Sequence, residues 1–284
     1  MRKMYLFALI FLMMTAMSGA AQNNTAWPWD FPTSTGEQLT DGELVLAPYT
    51  FYKVAIDDGE DLTRKGLIFY KTNLETAGTE KSVVNFMEDY ELPNSLIIGL
   101  PEGATAKKGD IVLTWWQSGS GMNRAIVRDD SNPAEPKVDY LDMKMDIDPN
   151  SSFNFAEKYA NEQLKPNSFI VLHDGEWEPG AQVAYKNERG EWVAGKLIKA
   201  TDDKVLVSGF SSRVYAYPRS DCKLIPMNDE GIKPGDTVSG LWIDKYRSGY
   251  TVDKVDTERG RVWVTNESGK QEILSILEVT KVLD

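Results

Sequence analysis

The two residue types that most often carry chemistry are almost missing from this sequence. Cys222 is the single cysteine and His173 the single histidine among 284 residues. One cysteine cannot close an intramolecular disulfide, so the chain must be held by its own apolar cores. One histidine excludes a multi-histidine zinc site, and no Ser/His/Asp or Cys/His arrangement assembles around it. No phosphate-cradling glycine loop and no dinucleotide fingerprint is present. No run of Lys and Arg is dense enough to make a basic patch, and a net charge of -12 repels phosphate backbones. Nucleic acid is therefore not an expected partner. After the first 21 residues no long apolar stretch remains, so no membrane span is expected in the mature chain.

What is present begins with a targeting signal. Arg2-Lys3 is a basic start, Met4 to Met17 is apolar with Thr15 interrupting, and Ser18-Gly19-Ala20-Ala21 supplies small residues. Residues 1–21 read as a signal peptide cleaved between Ala21 and Gln22, which predicts a secreted or periplasmic protein. No cysteine follows the cleavage site, so lipid attachment is not supported. Residues 22–40 form a polar arm with an aromatic knot, Trp27-Pro28-Trp29-Asp30-Phe31-Pro32. Its prolines oppose both helix and central strand, and its tryptophans are expected to pin it onto the first domain.

The rest of the chain is organised by repetition. Asn85-Phe86-Met87-Glu88-Asp89-Tyr90, followed by Pro93-Asn94-Ser95, returns as Asn154-Phe155-Ala156-Glu157-Lys158-Tyr159, followed by Pro166-Asn167-Ser168. The spacing is about 70 residues, the mark of an internal duplication. Similar glycine openers stand at Gly42, Gly109, Gly180 and Gly235. They divide the chain into units over 41–104, 105–175, 176–230 and 231–284. Each unit reads as short β-branched and aromatic runs separated by Gly, Asp and Asn turns, the pattern of a small all-β barrel or sandwich. Within the first unit, Tyr49 to Ile56 reads as a continuing strand. Within the second, Phe153 to Leu164 has helical spacing behind Ser152 as N-cap. Cys222 reads as a small residue at a strand start.

Gly190-Glu191-Trp192-Val193-Ala194-Gly195-Lys196-Leu197 resembles the Trp-bearing return strand of Tudor domains, and Phe86-Met87-Glu88-Asp89-Tyr90 is similar to their Phe-x-Asp-Tyr stretch, with Glu91 where that family has Gly. Residues 42–284 thus resemble four tandem SH3-like barrels of the Tudor and Agenet kind. The resemblance implies an all-β fold and an aromatic cage for a methylated cation. Carried over to this sequence, the cage candidates are Tyr185, Trp192 and Tyr215 in the third unit, with Trp115 and Trp116 in the second. A barrel of ~50 residues also needs aromatics to fill and cover it, so packing is the competing role for each.

Carboxylates are abundant, and the pairs Asp57-Asp58, Asp129-Asp130 and Asp202-Asp203 raise the alternative of a carbohydrate-active hydrolase. All three lie in turns, where acids are expected for backbone hydrogen bonding alone. Asp146, Asp148, Asn150 and Glu157 fall at the first, third, fifth and twelfth places of an EF-hand spacing, a calcium candidate. Ser151 stands where that loop needs Gly, and Pro149 stiffens the turn, so no metal is assigned and no cofactor is implied. The sum is a non-catalytic binding or scaffold protein whose ligand is a protein, peptide or glycan.

Overall fold

Gly42, Gly109, Gly180 and Gly235 share one backbone setting. Each has a positive φ, between 82° and 97°, a conformation that glycine takes without a Cβ clash. Each donates its N–H to the carbonyl of a residue on a later strand, Leu74, Val127, Leu197 and Val252 respectively, at 2.7–2.9 Å. Those four residues return the bond to the carbonyls of Glu43, Asp110, Ala181 and Asp236. Directly after each of the four the strand carries a β-bulge, between Leu74 and Thr76, Val127 and Asp129, Leu197 and Lys199, and Val252 and Lys254. A bulge bends the strand and tightens its twist, which lets one strand turn a corner of a small sheet.

The computed structural model describes residues 27–159, 162–229, 231–281 and 283. The expected signal peptide, with its cleavage site, lies outside them. The described chain is mostly β, in three antiparallel sheets. The first sheet holds β1 (Leu44–Ala47), β2 (Tyr70–Thr76), β3 (Lys81–Asn85), β4 (Asp89–Pro93) and β5 (Ile98–Gly99), in the order β4-β3-β2-β1-β5. The second holds β6 (Ile111–Trp115), β7 (Met122–Asp129), β8 (Lys137–Tyr140), β9 (Glu162–Gln163) and β10 (Ile170–Val171). A ten-stranded sheet takes the rest. It contains β11 (Gln182–Lys186), β12 (Trp192–Ala200), β13 (Lys204–Ser208), β14 (Val214–Pro218) and β15 (Cys222–Leu224), then β16 (Thr237–Trp242), β17 (Lys245–Asp256), β18 (Arg261–Thr265), β19 (Gln271–Ser275) and β20 (Val279–Thr280). Its halves join where Val193 on β12 pairs with Lys245 on β17. In all four successive groups of five, strands one to four form a meander and strand five returns to pair with strand one.

Two local expectations differ from the structure. Tyr49–Asp57 is a helix, α1, rather than a strand. Pro48 follows the last residue of β1 and caps α1, and the helix buries Tyr49 and Ala55; tertiary packing overrides β-branched and aromatic propensity here. In the second group the helix is only α2, Phe155–Tyr159, because the chain must be extended by Glu162 to pair β9 with β8. The repeated Pro-Asn-Ser also gains a meaning. Asn94–Leu96 is a 3-10 turn between the fourth and fifth strands, matched in the third group by Arg219–Asp221 and in the fourth by Ile276–Glu278.

The groups do not close four separate interiors. The first three have their own buried clusters, around Leu74 and Val84, around Val112 and Tyr140, and around Val183 and Leu197. A larger cluster draws on every group, including Leu46, Leu113, Leu206 and Leu277, together with Trp29 and Phe31 of the arm. The arm is not confined to the first group. Trp29 donates its Nε1–H to the Val214 carbonyl at 2.8 Å and Asp30 pairs with Lys204, while the Ser95 hydroxyl donates to the Pro32 carbonyl. Charge ties the second group to the third through Asp142, which meets Arg124 and Lys196, each at 2.6 Å. Burial pushes the Asp142 carboxyl up, but the two cations outweigh it and hold it well below the usual carboxylate range.

Candidate functional site

Tyr185 closes the inward face of β11, opposite Val193. Tyr215 and Tyr217 stand two apart on β14 and so point to the same face of that strand. The three rings meet. The Tyr185 and Tyr217 centroids lie 4.3 Å apart, Tyr185 and Tyr215 6.2 Å, and Tyr215 and Tyr217 6.1 Å. Tyr185 is the floor, only 3% exposed, and the other two are half-buried walls. Glycine makes this approach possible: a Cβ on Gly209 would stand 2.8 Å from the Tyr185 hydroxyl and 3.1 Å from the Tyr215 ring. Burial, then the neighbouring tyrosines, raises the Tyr185 phenol, and burial pushes Tyr217 up to about 12. Both stay neutral at physiological pH, with the electron-rich ring faces of uncharged phenols.

These rings line a cavity of about 650 Å³ together with Phe210, the acids Glu188, Glu191, Asp221 and Asp244, and the cations Lys186, Arg189 and Lys245. Phe210 is 55% exposed. The next two residues, Ser211 and Ser212, have φ of 56° and 57°, a left-handed pair that holds the loop against the rim at a cost in backbone strain. Glu191 is occupied by Lys245 at 2.6 Å. Glu188, Asp221 and Asp244 make no ion pair among the described residues.

Elsewhere several rings are covered by the chain's own cations. Lys53 lies 5.5 Å from the Tyr90 centroid, Lys158 5.5 Å from Tyr159, Lys254 4.4 Å from Trp263, and the Arg247 guanidinium 3.6 Å from Trp242. No cation of the described residues stands over Tyr185, Tyr215 or Tyr217. Tyr90 is the second residue of β4 and Tyr215 the second of β14, so the first and third groups offer the same ring position, covered in one and open in the other.

Of the residues singled out by sequence, Tyr185 and Tyr215 come together and Trp192 does not join them. Trp192 pairs with Lys186 rather than Tyr185, and one residue along a strand is the opposite face. It lies over Ala184, Ile225 and Tyr246 at the junction with the fourth group, under Lys186 and Lys223. Trp115 is only 4% exposed and belongs to a different hollow, described below. Trp116 packs edge-on against Tyr159, 5.0 Å between centroids, with the Gly119 turn pressed on its ring. Tyr217 and Phe210 were not singled out, although the alternation Tyr215-Ala216-Tyr217 on a strand already sets both tyrosines on one side.

The spacing at 146–157 does not gather into a metal site. The Asp146 carboxylate accepts the Asp148 N–H, Asp148 accepts the Asn150 N–H, and Glu157 is taken by Arg259 at 2.8 Å. No group of three or more His, Cys, Asp or Glu among the described residues could hold a metal ion. The paired acids serve local structure: Asp57, expected in a turn, ends α1 and pairs with Lys53 one helical turn back, while Asp129 accepts from Ser131 and Asp203 from Thr201. Cys222 opens β15 with its thiol pushed up to about 12 by burial, far from a reactive thiolate.

No protein-family model and no curated protein matches the chain. Among solved structures, it is similar to AGD34 of Arabidopsis thaliana AGDP1, at 17% identity over 37% of this chain and 81% of that one, with a TM-score of 0.23. The tandem Agenet domains 3-4 of ADCP1 align at 18% identity over 37% and 79%, TM-score 0.22. The four MBT repeats of Drosophila melanogaster Sfmbt, solved with a peptide, align over 86% and 88% at 7% identity, TM-score 0.17. With overlap this loose, the architecture rests on the strand order and registers given above.

Proposed function

We propose that the chain is a non-catalytic binding protein of four SH3/Tudor-like units, and that its third unit accepts a cationic side chain of a peptide or protein partner. The cation, a methylated ammonium above all, sits between Tyr185, Tyr215 and Tyr217. The unit assignment is supported by the repeated five-strand order and by the 3-10 turn before the fifth strand in three groups. The observation that carries the ligand is the open tyrosine trio. It lacks the in-chain cation that other rings have, and unpaired carboxylates edge it. Ring quadrupoles attract a cation by about 0.5–2 kcal/mol each, more when water is excluded. The same reading has the protein act outside the cytosol, on the strength of Arg2-Lys3 and the apolar run to Met17.

The test is a calorimetric and NMR titration with a short peptide bearing trimethyllysine, beside a neutral analogue carrying a tert-butyl group of the same shape. Saturable binding of the charged peptide, at least about tenfold tighter than the neutral one, is expected. Equal binding of the two peptides, or unchanged binding by Tyr215→Ala, refutes the reading.

A further inference from the structure

A second hollow lies at the junction of the first two groups and shares no lining residue with the tyrosine cavity. It has a volume of about 560 Å³, within the range of small-molecule sites. Its walls are the start of α1 and the Gln117–Gly121 turn, which occupy the same place in their groups, between the first and second strands. The two groups are fastened directly beneath by the Met122 N–H, which donates to the Phe69 carbonyl at 3.0 Å.

The lining is aromatic. Phe51 stacks on Tyr70 with centroids 5.8 Å apart and planes 13° from parallel, and Tyr49 meets Phe86 at 5.0 Å. Trp115 forms the base. Phe86, at 55% exposure, stands open to solvent at the mouth. The charge on this lining has one sign. Lys71 and Lys165 belong to it, and no Asp or Glu does, in a chain with 43 acidic residues against 31 basic. Neither lysine pairs with a carboxylate among the described residues. The Lys71 ammonium instead stands 5.5 Å over the Trp115 ring. Lys165 is tethered through its backbone, its N–H donating to Gln117 Oε1 at 3.0 Å, which leaves its side chain free to swing to the opening.

We propose that this hollow binds a small organic anion, a flat apolar ring carrying a carboxylate. An aromatic wall on which a planar body can lie, with ammonium groups and no acid in the lining, is complementary to that chemistry and hostile to a cation. The ring enters among Phe51, Tyr70 and Phe86, and the carboxylate stays at the mouth with Lys71 and Lys165. The site thus differs from the tyrosine cavity of the third group, whose lining carries acids as well as cations, and occupation of one does not require the other.

The probes are naphthalene-2-carboxylate and its uncharged amide, titrated into the full chain by calorimetry and ligand-observed NMR. The carboxylate is expected to bind at least about tenfold tighter than the amide, and to weaken as salt is raised. In Lys71→Gln/Lys165→Gln the carboxylate is expected to fall to the affinity of the amide, while amide binding is unchanged. Both lysines are exposed, so the variant is expected to fold, which its thermal transition checks. Tyr215→Ala, which tests the third group, is expected to leave naphthalene-2-carboxylate binding unaltered. Equal affinity for carboxylate and amide overturns the proposal, as does full carboxylate affinity in the lysine variant, or the absence of saturable binding at millimolar probe.

Discussion

The tyrosine cavity of the third group and the hollow between the first two are built from the same material and dressed with different charge: acids line the first beside cations, and none lines the second. Both set aromatic rings at the end of a small five-stranded sheet. In one, Glu188, Asp221 and Asp244 edge the rings and no cation of the described residues covers them; in the other Lys71 and Lys165 belong to the lining and no carboxylate does. The ring position itself is shared, since Tyr90 and Tyr215 occupy the same station on β4 and β14. Lys53 covers Tyr90, and nothing in the chain covers Tyr215. Repeating a scaffold therefore does not repeat a site. On the proposed assignments, a few charged residues around the rings decide which ligand a given set of rings would take.

The most forceful way to test this separation is to break the joint between the second and third groups. Asp142→Asn leaves Arg124 and Lys196 without their shared carboxylate and is expected to lower stability by about 3 kcal/mol, read from denaturant melts. The Asp142 carboxyl is held below its unfolded value, so its contribution is present above the ordinary carboxylate range, near pH 4, and is lost as pH falls toward the depressed folded value. Acidification below about pH 4 should therefore cost the natural chain more than the Asn variant.

Next in size is Tyr217→Ala. It removes the ring 4.3 Å from Tyr185 and is expected to weaken trimethyllysine-peptide binding by about tenfold or more, with naphthalene-2-carboxylate binding untouched. Gly209→Ala is expected to cost about 1–2 kcal/mol, because its methyl group meets the Tyr185 hydroxyl and the Tyr215 ring. Chemical-shift changes should centre on the tyrosines of the third group. The smallest effect is expected from Lys53→Gln. Its pairing with Asp57 is solvent-exposed, so stability should barely move. Tetramethylammonium should then perturb the Tyr90 resonances in the variant and not in the natural chain. If the variant behaves like the natural chain there, the covering lysine is not what distinguishes the two groups.

Much of the architecture was legible because backbone requirements leave marks in sequence. A left-handed opener needs glycine, so Gly42, Gly109, Gly180 and Gly235 show the period directly. The 3-10 turn before a fifth strand favours a preceding proline, so Pro93 and Pro218 stand at corresponding places. Tyr185 and Tyr215 were legible as cage candidates through the resemblance of their unit. Tyr49 to Ile56 was not legible as a helix, because its residues favour strands and only Pro48 and the packing of Tyr49 and Ala55 decide otherwise. Trp192 misled because the return strand enters one residue out of step with Tyr185, and register is set by pairing rather than by composition. The junction hollow was illegible for a different reason: Phe51, Tyr70, Trp115 and Lys165 come from two units, and nothing local in the chain says that they meet.

The arm has a consequence in time as well as in space. Trp29 finds its hydrogen-bond acceptor on Val214, 185 residues further along, and Val214 is the neighbour of Tyr215. A segment made early in synthesis can lock only after the third group has emerged and paired its strands. Closing so long a loop is slow compared with forming a local hairpin. The strand that carries the tyrosine wall therefore receives its buttress late in folding, only when the chain's beginning has found its middle.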